Sequence, residues 1–247
     1  MKYIFATLVF VSFLCNGQKI SVVTEHVPPM QKLNEDGSLT GVSIDLLEAM
    51  LSEANLTPSY RVLPWPRALA HAESHKNTLI LSMIRNPERE QRFIWLAKLV
   101  EFTPNAIALK ARTDISIKNI EELQRYKIGV ARADFGESYL KSIGFVEGKN
   151  LHVTSKYDHV WKMLYTGRVD LGFANNLTNK EGLISAGLSP ELIEGKYNFS
   201  SISKELYLAA NLDTDPQIIQ QIQHAFQKIV ENGTYDKIRE DWGVVGL

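Results

Sequence analysis

The chain has 247 residues, of which 45% are hydrophobic and 22% charged, with a formal net charge of −1. This profile fits a globular protein with a substantial core, arranged as one large domain or two lobes. The balanced charge excludes a partner recognised by phosphate neutralisation, so no nucleic-acid role is expected. Residues 1–17 read as a secretory signal peptide. Met1-Lys2-Tyr3 precedes an apolar run over 4–14, short of the roughly 20 residues needed to span a bilayer. Small residues Cys15 and Gly17 follow, placed for cleavage after Gly17. The competing reading is a buried first strand, but 19–24 supplies that strand at once. Cys15 is the only cysteine, and Leu14 before it is not the small residue of a lipoprotein signal. Cleavage after Gly17 leaves a mature chain without a disulfide, as suits a periplasmic protein folding on its core alone.

From there, short apolar strands alternate with helical segments, the pattern of an α/β fold. Residues 19–24 form a strand. Ile44, Leu47, Leu51 and Ala54 recur at helical spacing and predict a helix over 43–55. A strand over 59–63, a helix over 65–74 with Pro66 in its first turn and a strand over 78–83 complete the first series. The second series is a strand at 127–131, a helix at 135–143, a strand at 151–154, a helix at 158–165, a strand at 169–174 and a helix at 178–186. The runs 105–110 and 205–211 flank it as candidate crossover strands. An amphipathic helix over 215–231 stops at Asn232-Gly233. Two crossovers predict a second lobe inserted within the first: lobe one from 18–104 and 205–247, lobe two from 105–204.

Ligands of open α/β sheets bind beyond the carboxyl ends of strands. The residues there are Glu25-His26-Val27, the segment 82–89 beginning at Ser82, the segment 132–135, and 174–176. Three arginines crowd one turn in "LSMIRNPEREQRF". Arg89 carries a planar fork matched to a carboxylate; otherwise it solvates a surface helix. Arg85 is a second anion contact or a partner for Glu88 or Glu90, and Arg92 belongs to a solvated face. Trp65 offers a broad ring for a ligand, or is a core tryptophan. Asp134 is a good N-cap before Phe135. His71 and His75 are spaced i, i+4, but "HAESH" lacks the metalloprotease arrangement and a third ligand, so no metal is expected. No nucleophile triad and no glycine-rich phosphate loop is recognisable.

Five segments appear in order: "TEHVPPMQKLNEDGSLTGVSIDLLEAML", "IRNPERE", "KNIEELQRYKIGVARADFGESYL", "LYTGRVDLGFANN" and "ENGTYDKIREDWG". Together, over 20–243, they resemble the family 3 bacterial solute-binding proteins. The resemblance implies a type II two-lobed clamp with a ligand cleft. It implies that Arg89 clamps a ligand carboxylate, Trp65 stacks on the ligand, and backbone N–H groups around Asp134 and Phe135 receive an anion. It also implies an ABC permease as partner. One departure stands out. Relatives that bind α-amino acids place an acid five residues after the Asp170 position, and here that residue is Asn175, with Glu25 the nearest substitute. The expectation is a monomeric, cofactor-free, non-catalytic receptor for a small carboxylate, an amino acid or relative. The alternatives are a dehydratase-like enzyme acting on a cyclic carboxylic acid, with Glu25 as acid or base, and a receptor serving a separate sensor.

Overall fold

The computed structural model describes residues 18–175, 178–199, 202 and 204–244. The proposed signal peptide lies outside them. In chain order the first elements are β1 (Gln18–Thr24), β2 (Lys32–Leu33), β3 (Leu39–Thr40), α1 (Val42–Ala54), β4 (Leu56–Val62), α2 (Trp65–Ser74), β5 (Thr78–Ile84) and β6 (Phe93–Phe102). There follow β7 (Pro104–Leu109), α3 (Ile120–Leu123), β8 (Ile128–Ala131), α4 (Phe135–Ser142), β9 (Leu151–Thr154), α5 (Tyr157–Tyr165), β10 (Leu171–Asn175) and α6 (Thr178–Ser185). A 3₁₀ turn (Pro190–Leu192), β11 (Ile193–Asn198), β12 (Lys204–Asn211), α7 (Pro216–Glu231) and α8 (Thr234–Asp241) complete the chain.

Two five-stranded sheets result, ordered β4-β1-β5-β12-β6 and β11-β7-β10-β8-β9. In each, the strands of the β-α-β series run parallel; β12 and β7 run antiparallel to them, and β6 and β11 pair antiparallel with β12 and β7. The chain moves from the first sheet to the second between Phe102 and Pro104, and returns between Asn198 and Lys204. On the first sheet, α1 packs with α7 and α8, while α2 packs on β1, β5 and β12. The buried stripe of α7 is Ile218, Ile222, Ala225 and Ile229, at the helical spacing that makes one face apolar. In the second sheet α5 covers the parallel strands, burying Val160, Trp161 and Leu164.

Strand β6 has no counterpart in the sequence reading. Its register against β12 shifts twice, between Leu206 and Tyr207 and between Leu208 and Ala209. Each shift changes which residues face inward, so the run never alternates cleanly. Strands β2, β3 and β11 and helix α3 are likewise additions. Strand β11 is half-exposed and bulged, and its Glu-Gly-Lys centre carries little apolar signal.

Helix α4 lies close over the second sheet because residue 136 is glycine. A Cβ there would sit 2.4 Å from Phe173 Cδ1 and 2.9 Å from Val130 Cγ2, so any side chain forces the helix or the ring to move. Gly136→Ala is expected to destabilise the protein by about 1–3 kcal/mol, read as a lower urea midpoint at unchanged slope.

Candidate functional site

The carboxyl ends of both sheets converge on one cavity. From the first sheet come Glu25, Gln31, Trp65, Ser82 and Arg89; from the second come Asp134, Phe135, Tyr157 and Phe173. Its volume is about 60 Å³, room for a few waters.

Arg89 is 4% exposed. Its Nη1 donates to the Ile84 carbonyl at 3.1 Å and its Nη2 to the Ala133 carbonyl at 2.8 Å. The guanidinium lies 5.5 Å from the Trp65 ring centroid, within cation–π range. Among the described residues no carboxylate oxygen comes within 4 Å of its nitrogens. A buried cation thus rests on neutral carbonyls and a ring face. Burial pulls the Arg89 guanidinium below the ordinary arginine value, with Asp134 opposing.

Ala133 binds both lobes together. Its carbonyl also accepts from Trp65 Nε1 at 2.9 Å, and its N–H donates to Glu137 Oε2 at 2.6 Å. Ala133 has φ 59° and Ser82 φ 60°; the other described non-glycine residues at positive φ are Asn55 and Asn77. Asparagine tolerates this region, whereas serine and alanine do so at a cost, and such residues cluster at functional sites. Here both stand at the cleft. Ser82 Oγ lies 2.8 Å from Gln31 Oε1 and 2.8 Å from Ser43 Oγ. It donates to Gln31 and accepts from Ser43, since a hydroxyl has one proton.

Two carboxyl groups, Glu25 and Asp134, line the same cavity. Burial, followed by Asp134 and Asp158, pushes the Glu25 carboxyl up to about 8, while the Trp65 backbone N–H pulls it down. Burial also raises Asp134, opposed by Arg89 and by the N–H groups of Phe135 and Gly136. Asp134 caps α4, accepting from the Phe135 N–H at 2.7 Å. It therefore takes up a donor that an incoming anion would need.

Glu25, Trp65, Ser82, Arg89, Asp134 and Phe135 are brought together. Trp65 is also a core residue, packed with Val23, Ala68 and Ile80, as one of its two readings has it. Arg85 is not brought in. It pairs bidentately with Glu90 and lies 5.4 Å from the Trp95 ring centroid, half-exposed. Arg92 pairs with Glu73. Asn175 ends β10, but its side chain lies outside the described residues. His71 and His75 stack on each other at 3.8 Å. The sequence reading missed Tyr157 and Asp158, at the start of α5. Both line a second pocket that shares Glu25 and Tyr157 with the first. The strand-end rule that found the other loops, applied to β9, points to them.

The bacterial extracellular solute-binding proteins, family 3, match this chain over residues 20–245. The chain belongs to that family. The histidine-binding periplasmic protein of Escherichia coli (strain K12) is 19% identical over 237 residues, covering 94% of this chain and 90% of that protein. The arginine-binding periplasmic protein of Mannheimia haemolytica is 23% identical, covering 98% of each. Among solved structures, a histidine kinase sensor domain with similarity to periplasmic binding proteins superposes with a TM-score of 0.82 at 16% identity, covering 93% of this chain and 97% of that one. An ancestral arginine-binding protein bound to arginine reaches 0.79 at 22% identity, covering 91% and 97%. The fold is a type II periplasmic-binding-protein clamp. Among the described residues no helix is long and apolar enough to cross a membrane.

Glu25 gives this family member a measurable signature. Its folded value, about 8, lies above the ordinary 4.5, so the folded state holds a proton that the unfolded state releases. That contribution is full below pH 4.5 and is lost as pH rises towards 8. Relative to Glu25→Gln, the wild-type protein is expected to lose thermal stability across that window and to level off above it. Parallel melting curves of the two proteins at stepped pH read this directly.

Proposed function

We propose that this protein is a receptor that captures a small carboxylate-bearing ligand, an amino acid or close relative, by closing two lobes upon it and delivering it to an ABC permease. Arg89 is the observation that carries the reading. It lines the cleft, is 4% exposed, and has no carboxylate partner among the described residues. Two of its five N–H donors are accounted for, leaving donors for a ligand's carboxylate. The family and the histidine- and arginine-binding relatives support a ligand of amino-acid type. Asp158 and Asp134 stand near the cavity at positions other than 175, and so offer an ammonium group a place. On this reading the lobes are 18–104 with 205–247, and 105–204. They close about the two passages between sheets, because a ligand touching both lobes favours the closed state. The chain works as a monomer outside the cytoplasmic membrane, exported by residues 1–17.

A second reading is supported by Glu25, a carboxyl that holds its proton near neutrality in the cavity that Arg89 also lines, which is the equipment of a general acid. An ancestral amino acid-binding protein described as a precursor of cyclohexadienyl dehydratase shares the fold, with a TM-score of 0.74 at 18% identity. Recovery of the ligand unchanged after prolonged incubation separates receptor from enzyme.

A thermal-shift screen of amino acids, polyamines, dicarboxylates and sugar acids identifies the ligand, since binding to the folded state raises the melting temperature. Arg89→Ala is then expected to weaken binding by about 2 kcal/mol, roughly thirtyfold. Calorimetry showing unchanged affinity would remove Arg89 from the site.

A further inference from the structure

We propose that Gln31 sets specificity in the cleft: its Nε2 donates to a neutral oxygen that the ligand carries away from its carboxylate. The assignment rests on the reading of Arg89 as the carboxylate's partner.

Gln31 lines the cavity and is 2% exposed. Its backbone is tied on both sides. The N–H donates to the Val27 carbonyl at 3.1 Å, and the carbonyl accepts from the Val27 N–H at 2.9 Å. Its Oε1 accepts from Ser82 Oγ at 2.8 Å, and Ser82 Oγ accepts from Ser43 Oγ at 2.8 Å. Ser43 is buried in the first turn of α1. Both hydroxyl protons thus run towards the amide oxygen. The reverse order would end the chain on Met30 Sδ, 4.0 Å from Ser43 Oγ, and a thioether is a weak acceptor. The serines therefore fix which way the amide faces. Its Nε2 carries two protons, has no acceptor among the described residues and is not sealed off. Buried amide donors are nearly always paired, and the open space that Gln31 meets is the cavity.

Gln31 and Arg89 reach that cavity from opposite faces of the first sheet. Val22 packs with Leu46 and Leu47 of α1, whereas its neighbour Val23 packs with Trp65 and Ala68 of α2. Successive strand residues point to opposite faces, so the two helices cover opposite faces. Gln31 is held through Ser82 by Ser43 of α1. Arg89 rests on Trp65 of α2 and on the Ile84 and Ala133 carbonyls, and shares none of these partners with Gln31. A carboxylate on Arg89 alone leaves the Gln31 donor unanswered. A molecule that answers both carries a carboxylate at one point and an oxygen acceptor at another. An amide carbonyl or a hydroxyl fits. An ammonium offers no acceptor, and an apolar terminus leaves the amide unpaired at a cost.

The test is calorimetry with two matched pairs of probes. L-glutamine is set against L-methionine, which has similar length and no terminal oxygen. Glutaramate is set against hexanoate, which repeats the comparison without an α-amino group. Wild type is expected to bind the oxygen-bearing member of at least one pair about tenfold tighter. Gln31→Leu is expected to bring that ratio to about one. Gln31→Glu keeps an oxygen for Ser82 and removes the donor, and is expected to do the same; whichever of the two melts cooperatively serves as the readout. Equal binding within each pair by wild type overturns the assignment and leaves the carboxylate receptor standing. So does a folded variant that keeps the wild-type ratio. Binding by none of the four probes, with every carboxylate of the thermal-shift screen equally inert, overturns the receptor reading and this assignment with it.

Discussion

Burying the Arg89 guanidinium between two sheets is the constraint on which the cleft depends. A charge taken out of water has to be met by groups that replace its hydration. Here those groups come from both halves of the molecule: the Ile84 carbonyl and Trp65 ring from one, the Ala133 carbonyl and the field of Asp134 from the other. The arginine is therefore well solvated by protein only when the lobes meet. Position of the cation and closure of the cleft are one problem with one solution.

The acids around the arginine impose the opposite demand. Glu25 stands on the first sheet, and Asp134 and Asp158 at the starts of two helices on the second. Glu25 keeps its proton chiefly because it is buried, and the nearby Asp134 and Asp158 add to that. Closure thus rewards the arginine and crowds the acids.

Much of this was legible in the sequence, for identifiable reasons. Helical spacing in 43–55 and 215–231 and compact apolar strands gave α1, α7 and the parallel strands, because one-sided burial writes a period into the chain. Strand ends located Glu25, Ser82, Arg89 and Asp134, because parallel sheets open their binding edge there. Strand β6 was hidden by its two register shifts. The contest over Arg85 was settled by a partner, Glu90, that the sequence offered alongside Glu88. What no pattern could supply was the carbonyl of Ala133. A backbone oxygen carries no residue type, and its direction follows the left-handed φ of Ala133.

Strand β12 lies between β5 and β6, yet about a hundred residues separate it from the end of β6. Until it arrives, β6 has no neighbour in its own sheet, while the second sheet draws all its strands from the intervening stretch. Assembly is therefore ordered: the inserted half can complete itself from a contiguous segment, and the outer half waits for the last strand to slot into its middle. A chain emerging from its N-terminus exposes the apolar faces of β5 and β6 throughout that interval, which makes the outer half the part of the molecule most exposed to mispairing before the chain is whole.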